Sequence, residues 1–218
     1  MAELRTEEEQ VEAIKNWFRQ NGTSLLIGIG AALAIVFGWQ AWQTHQANEQ
    51  ASAANAFNRL LEASSQQSSD ENRETVRYLG EQLRSDYPDT PYATYASLLL
   101  ASEQLMEEND PAAARESLSW ALDRVESGST LELLVRSRLA RAQLAEGDLD
   151  AALATLRSAS DTGAFTGLMA ELEGDILMAS GDQGGARKAY LRAREAAGSE
   201  GLGLLQLKLA DLGIGGDA

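Results

Sequence analysis

Few side chains in this chain could carry out covalent or metal chemistry. Among 218 residues there is one histidine, His45, and no cysteine. Thiolate nucleophiles, disulfides, thiolate zinc sites and iron–sulfur clusters are excluded together. Serine and aspartate are plentiful, but a Ser-His-Asp triad needs a histidine beside them. His45 instead sits at the end of an apolar segment, where an interfacial, structural role suits it. Gly28-x-Gly30 falls inside that segment rather than between a strand and a helix, so it is not a dinucleotide loop. The Gly181–Gly185 run has the glycine content of a phosphate cradle but lacks the following Lys-Ser/Thr. Glu107-Glu108-Asn109-Asp110 lacks calcium-loop spacing and reads as a helix end and turn. Paired carboxylates doing hydrolysis would need a shaped cleft, and no sequence feature marks one. The expectation is a protein that is not an enzyme, with no cofactor, no metal and no small-molecule substrate.

The remaining candidates are binding residues. Leu134, Arg138, Arg141 and Ala145 recur at helical spacing on one side of a helix. Leu168, Glu171, Asp175 and Ala179 take similar places further on. Arg138 and Arg141 are candidates to face acidic groups of a partner, and Glu171 and Asp175 basic ones. The alternative is that these are solvated charges or ion pairs between repeats. Grooves selective for a C-terminal carboxylate usually add Asn and Lys, and neither occurs from 130 to 146, which argues against that mode. Nucleic acid is an unsuitable partner: 18 Lys and Arg against 33 Asp and Glu give a net charge of −15, and phosphate binding needs a basic stripe.

The elements that would position these residues are helical. Ala and Leu, strong helix formers, dominate, while Val and Ile are scarce. The predicted fold is all-α, a single N-terminal transmembrane helix followed by a tetratricopeptide-like α-solenoid. No charged residue occurs from Asn21 to Asn48. Within that window residues 24–42 are apolar except for Ser24 and Gln40, and would span about 28 Å as a helix, close to the bilayer core. Trp17, Trp39 and Trp42 flank the segment as candidate interfacial anchors. Gly30, Ala34 and Gly38 form a small-xxx-small ladder that suits packing against another transmembrane helix. A cleaved signal peptide fits less well: the preceding segment is long and acidic, and the apolar stretch exceeds a signal core. Lys15 and Arg19 precede the span and the next basic residue is Arg59. The positive-inside rule then predicts a single-pass protein with its N-terminus in the cytoplasm and residues 43–218 across the membrane, periplasmic in a bacterium.

Beyond the span, Ala47, Ala51, Ala54, Phe57 and Leu61 trace a helical stripe. A polar break follows, with Asp70 as a candidate cap for a second helix ending near Ser85, and then a turn at Tyr87–Pro91. The most informative feature is a 34-residue period. Gly147-Asp148 recurs as Gly181-Asp182; Ala140, Ala152, Leu156 and Ala159 recur as Gly174, Ala186, Tyr190 and Ala193. Asn109-Asp110, Ala114, Leu118 and Ala121 repeat the pattern upstream, displaced by 38, with the extra residues assigned to the loop at Gly128-Ser129-Thr130. This is the tetratricopeptide period, with Gly-Asp turns and small residues where two helices cross. The consensus aromatic of the first helix is missing, with Leu98, Arg136 and Ala170 in its place. A last helix at Leu202–Leu212 would cap the stack, and residues after it should fray. The predicted organisation is a cytoplasmic arm at 1–20, a transmembrane helix at 21–42, a helical stalk at 43–67, repeats at 68–212 and a tail at 213–218.

The opening block Glu9–Gly22 (Glu-Gln-Val-Glu-Ala-Ile-Lys-Asn-Trp-Phe-Arg-Gln-Asn-Gly), the apolar span, Gly38-Trp39 and His45-Gln46 resemble the YfgM-like ancillary subunit family of the SecYEG translocon. Arg138–Gln143, Glu171–Ile176, Gly185-Ala-Arg187 and Leu207–Leu212 extend the resemblance over nearly the whole chain. The resemblance implies a bacterial inner-membrane adaptor with a periplasmic repeat domain. Its implied partners are the SecYEG translocon and a periplasmic membrane-anchored chaperone of the peptidyl-prolyl-isomerase type, to which it would help pass translocated polypeptides. Two other roles remain open: a scaffold for a different envelope assembly, or a regulator acting through the cytoplasmic arm.

Overall fold

A computed structural model describes residues 7–66, 69–159, 161–197 and 203–213. Among them every regular element is helical, and the chain divides into two units, one through Ala51 and one from Ser52. Helix α1 runs from Glu7 to Ser64. In the first unit it is long and apolar enough to cross a membrane, and none of its most apolar window is buried by protein. Ile35 and Phe37 stand exposed, the arrangement lipid rather than water favours. The polar residues at the margins satisfy themselves along the helix. The Asn21 amide donates to the Trp17 carbonyl at 3.0 Å and the Thr44 hydroxyl to the Gln40 carbonyl at 2.9 Å. Trp39 and Trp42 lie with ring centroids 5.0 Å apart. A Cβ at Gly30 or Gly38 would meet nothing within 4 Å, so this side of the helix is open.

The second unit begins with the last turns of α1 and continues with α2 (Asp70–Asp86), α3 (Pro91–Met106), α4 (Pro111–Leu122), α5 (Thr130–Glu146) and α6 (Leu149–Arg157). A 3₁₀ turn, Gly163–Phe165, leads into α7 (Thr166–Ala179), α8 (Gln183–Ala197) and α9 (Gly203–Asp211). Core residues form successive clusters rather than one centre. The end of α1 packs with α2 and α3, then α3 with α4 and α5, then α5 with α6 and α7, and finally α7 with α8 and α9. Such nearest-neighbour cores are the mark of a repeat stack.

The repeat turns share one mechanism. Asn109, Gly147 and Gly181 all adopt left-handed backbone, with φ of 52°, 88° and 84°, ending each first helix. The next residue is always aspartate and caps the second helix: Asp110 accepts from the Ala113 amide, Asp148 from Ala151 and Asp182 from Gly185. The positions matched in sequence are core positions. Ala114, Ala152 and Ala186 are completely buried, and Leu118, Leu156 and Tyr190 nearly so. At Gly174 an added Cβ would lie 2.3 Å from the Tyr190 ring, so the glycine permits the larger side chain opposite.

Two details differ from the sequence reading. Ser69, not Asp70, caps α2: its hydroxyl accepts from the Asn72 amide at 3.2 Å. Asp70 is the first helical residue, where its charge favours the positive end of the helix dipole and pairs with Arg73. Second, the buried side of the end of α1 is Ala53, Leu60 and Ala63, whereas Ala51 and Leu61 are exposed. Apolar residues occur on both sides of that helix, and the neighbouring helices select one. In α9, described from Gly203, Leu205 and Leu209 are buried and Leu212 packs against the same cluster, as the spacing predicts, while Leu202 lies outside the described residues. The tail expected to fray, after Gly213, lies outside the described residues.

Candidate functional site

The end of α1 together with α3 and α5, which open the first two repeat pairs, lines a groove of about 520 Å³. α1 contributes Phe57 and Leu61; α3 contributes Tyr95, Leu98, Leu99, Ala101, Ser102, Leu105 and Met106. Leu118 of α4 forms part of its floor, and Leu134, Arg138 and Arg141 of α5 complete it. Phe57, Tyr92 and Tyr95 form an aromatic group at the α1 side, with centroids 5.9–6.3 Å apart. The lining contains no acidic residue. Leu61, Tyr95 and Met106 are exposed, Met106 by 77%.

Arg138 and Arg141 thus lie together on the groove, exposed. Leu134 lines it as well, but Ala145 does not. Neither guanidinium has a hydrogen-bond or ion-pair partner among the described residues, although the other charges of α5 are paired. Arg136 bonds Glu132 within the helix, and Glu146 receives Arg115 of α4 at 2.7 Å. Arg136 stands where the repeat consensus has an aromatic. Its guanidinium reaches the Thr155 carbonyl and the Ser158 hydroxyl, stapling α5 to α6 in place of a ring. The hydrogen bond from Arg136 and a second from the Gly128 amide hold the Glu132 carboxyl below its ordinary range, against the opposing effect of burial.

Glu171 and Asp175 have a different environment. Lys208 of α9 donates to Glu171 at 2.6 Å and to Asp175 at 2.9 Å, and the Tyr190 hydroxyl donates to Asp175 at 2.8 Å. The lysine ammonium also lies 5.7 Å from the Tyr190 ring centroid. Burial pulls the Lys208 pKa down, but its hydrogen bonds to Asp175 and Glu171 outweigh it and the pKa is raised. Burial pushes the Tyr190 phenol well above its usual value, with Asp175 adding to it. On the same helix Glu173 binds Arg157 and Arg192 at 2.9 and 2.6 Å. Burial raises its pKa; the two arginines overcome this and lower it. The structure therefore brings the arginine pair to the groove and places the acidic pair in contact with α9 of the same chain. Lys208 was not singled out in the sequence: its spacing of 37 residues from Glu171 leaves no local signal.

Trp17, Trp39 and Trp42 are exposed along α1 of the first unit, and Gly30, Ala34 and Gly38 share its open surface. His45 is exposed on the same helix. Among the described residues no group of three or more His, Asp or Glu could hold a metal ion.

Comparison with known proteins matches nearly the whole chain. The tetratricopeptide repeat-like domain family matches residues 15–214. A protein of Haemophilus influenzae named "Ancillary SecYEG translocon subunit" is 30% identical over 212 residues, 97% of this chain and 100% of the relative. One of Escherichia coli K12 with the same name is 30% identical over 209 residues, 95% of this chain and 97% of the relative. No solved structure matches the chain. The chain belongs to the tetratricopeptide repeat-like domain family and, by 30% identity over nearly its full length, to the family of ancillary SecYEG translocon subunits.

Proposed function

We propose that this protein is a non-catalytic adaptor of the SecYEG translocon, held in the bacterial inner membrane by the apolar part of α1. The observation that carries the reading is similarity over 97% of the chain to relatives that bear the subunit's name. Lys15 and Arg19 before the apolar segment, with no further basic residue until Arg59, support a cytoplasmic N-terminus and a periplasmic repeat unit. The adaptor would help pass translocated polypeptides to periplasmic chaperones, including a membrane-anchored one of the peptidyl-prolyl-isomerase type. Tethering is the mechanism: anchorage beside the channel raises the local concentration of a weak binder, so modest contacts suffice. On the open side of α1, Gly30, Ala34 and Gly38 would allow close approach of a partner transmembrane helix, with Trp17, Trp39 and Trp42 setting its depth.

The test is photo-crosslinking in native inner membranes, with the probe at position 34 and separately at position 106. The expected products are SecYEG subunits from the first site and a periplasmic chaperone from either. Recovery of neither, or labelling of residue 106 by a reagent confined to the cytosol, would overturn the assignment.

A further inference from the structure

The groove on α1, α3 and α5 has a composition that a generic apolar surface would not have. Large apolar side chains stand open to solvent there, among them Leu61, Tyr95 and Met106. Exposed apolar clusters of this kind mark contact sites; methionine adapts its flexible side chain to varied partners, and tyrosine supplies contact area at low entropic cost. A volume of about 520 Å³ admits a few side chains rather than a folded domain. Electrostatics narrow the choice further. The chain carries a net charge of −15, yet no acid lines the groove. Of the charged residues on α5, the two without a partner among the described residues are the two that face it, Arg138 and Arg141. Unpaired guanidiniums beside an apolar opening fit carboxylates, which they can bind bidentately. A phospholipid surface fits less well, since headgroup recognition takes clusters of about four to eight basic residues and the net charge opposes it.

We propose that this groove binds a short amphipathic segment of a partner protein, seating its apolar side chains against α3 and placing an acidic side chain on Arg138 and Arg141. The proposal rests on the adaptor reading and adds to it the chemistry of the segment recognised. Such a segment would follow the helix-in-groove mode, with anchors at i, i+3, i+4 and i+7. A wholly apolar stretch of an unfolded client would leave the arginines unused.

The experiment measures fluorescence anisotropy with the full chain in lipid nanodiscs. The probe is a labelled helical peptide with Leu and Phe at those anchor positions and Glu beside them; twins carry Gln or Lys instead. The Glu peptide should bind about tenfold tighter than the Gln peptide, a difference that added salt reduces. Arg138→Ala with Arg141→Ala should erase that preference. Arg138→Glu with Arg141→Glu should transfer it to the Lys peptide, a gain that unfolding cannot mimic. Met106→Asp should weaken all three peptides. Equal binding of the Glu and Gln peptides, a preference surviving in the double alanine variant, binding of no peptide, or displacement by phospholipid vesicles would each overturn the proposal. Loss of SecYEG crosslinks with peptide selectivity intact would instead overturn the translocon assignment and leave the groove's specificity standing.

Discussion

Arg138 and Arg141 on α5 and Glu171 and Asp175 on α7 sit at similar places in successive repeats, yet meet different fates. The arginines face a groove and have no partner among the described residues, while both carboxylates are taken by Lys208 of α9. The difference comes from what packs against each helix. The end of the stack has a further helix, whose Leu205 and Leu209 enter the core beside Ala170 and Leu177, and that helix brings its lysine with it. Repeat position therefore selects which charges point away from the core, and the neighbouring element decides whether they serve the fold or remain available.

If the α7 hairpin is the structural partner in this comparison, it should be the intolerant one, and Gly174→Ala should show the largest effect. The added Cβ would lie 2.3 Å from the Tyr190 ring. The ring cannot swing away cheaply: it is 3% exposed and its hydroxyl is bonded to Asp175. Overpacking costs about 1–3 kcal/mol, whereas alanine gains up to about 1 kcal/mol of helix propensity. With a contact this close the steric cost wins, and a net loss of about 2 kcal/mol is expected in urea denaturation. Tyr190→Leu, the residue that Leu156 already provides opposite Ala140, should recover part of it. An unchanged midpoint would show that the two hairpins pack alike.

Much of this was legible in the sequence, for a physical reason. A 34-residue period fixes which small residues must face each other, and Gly147-Asp148 and Gly181-Asp182 specify a left-handed turn followed by a cap. Asn109 was readable in the same way, because asparagine tolerates that conformation better than most residues. What could not be read depends on neighbours outside the period. The sequence stripe through Leu61 lies one residue away from the buried side at Leu60, because both residues are equally apolar and the choice is made by α2 and α3. The groove unites α1, α3 and α5, and no spacing rule registers three helices at once. The spacing on α5 alone marks Arg138 and Arg141 as binding candidates, whereas the apolar wall beside them comes from two other helices and leaves no mark in it.

The Lys208 contact gives an intermediate effect that sharpens the comparison. Lys208→Met keeps most of the side-chain volume and leaves Glu171 and Asp175 without their cation. The three side chains are 22–28% exposed, between a surface pair and a buried one, so about 1–2 kcal/mol is expected. Hydrogen exchange should show the loss concentrated in α9. The pH dependence has a definite sign. The folded pKa of Lys208 is raised, so its contribution is complete below the ordinary lysine value, about 10.4, and is lost as pH rises through the folded value. The parent protein and Lys208→Met should therefore converge in stability above that range and differ by a constant amount between about pH 6 and 9. A difference that vanished near neutrality would assign the contact to packing alone.

The smallest effect is expected where the proposed function is greatest. Arg138→Ala with Arg141→Ala removes two exposed side chains that bond to nothing among the described residues, so stability should change by less than about 0.5 kcal/mol. Thermal unfolding of this variant and of Lys208→Met in the same buffer compares the two pairs directly. A small gain for the arginine variant is physically reasonable, because two like charges three positions apart on one helix repel each other. A loss as large as that of Lys208→Met would mean that the guanidiniums hold the repeats together. The groove would then lose its claim to a charged partner, since a residue that the fold cannot spare is poor ground for inferring a ligand.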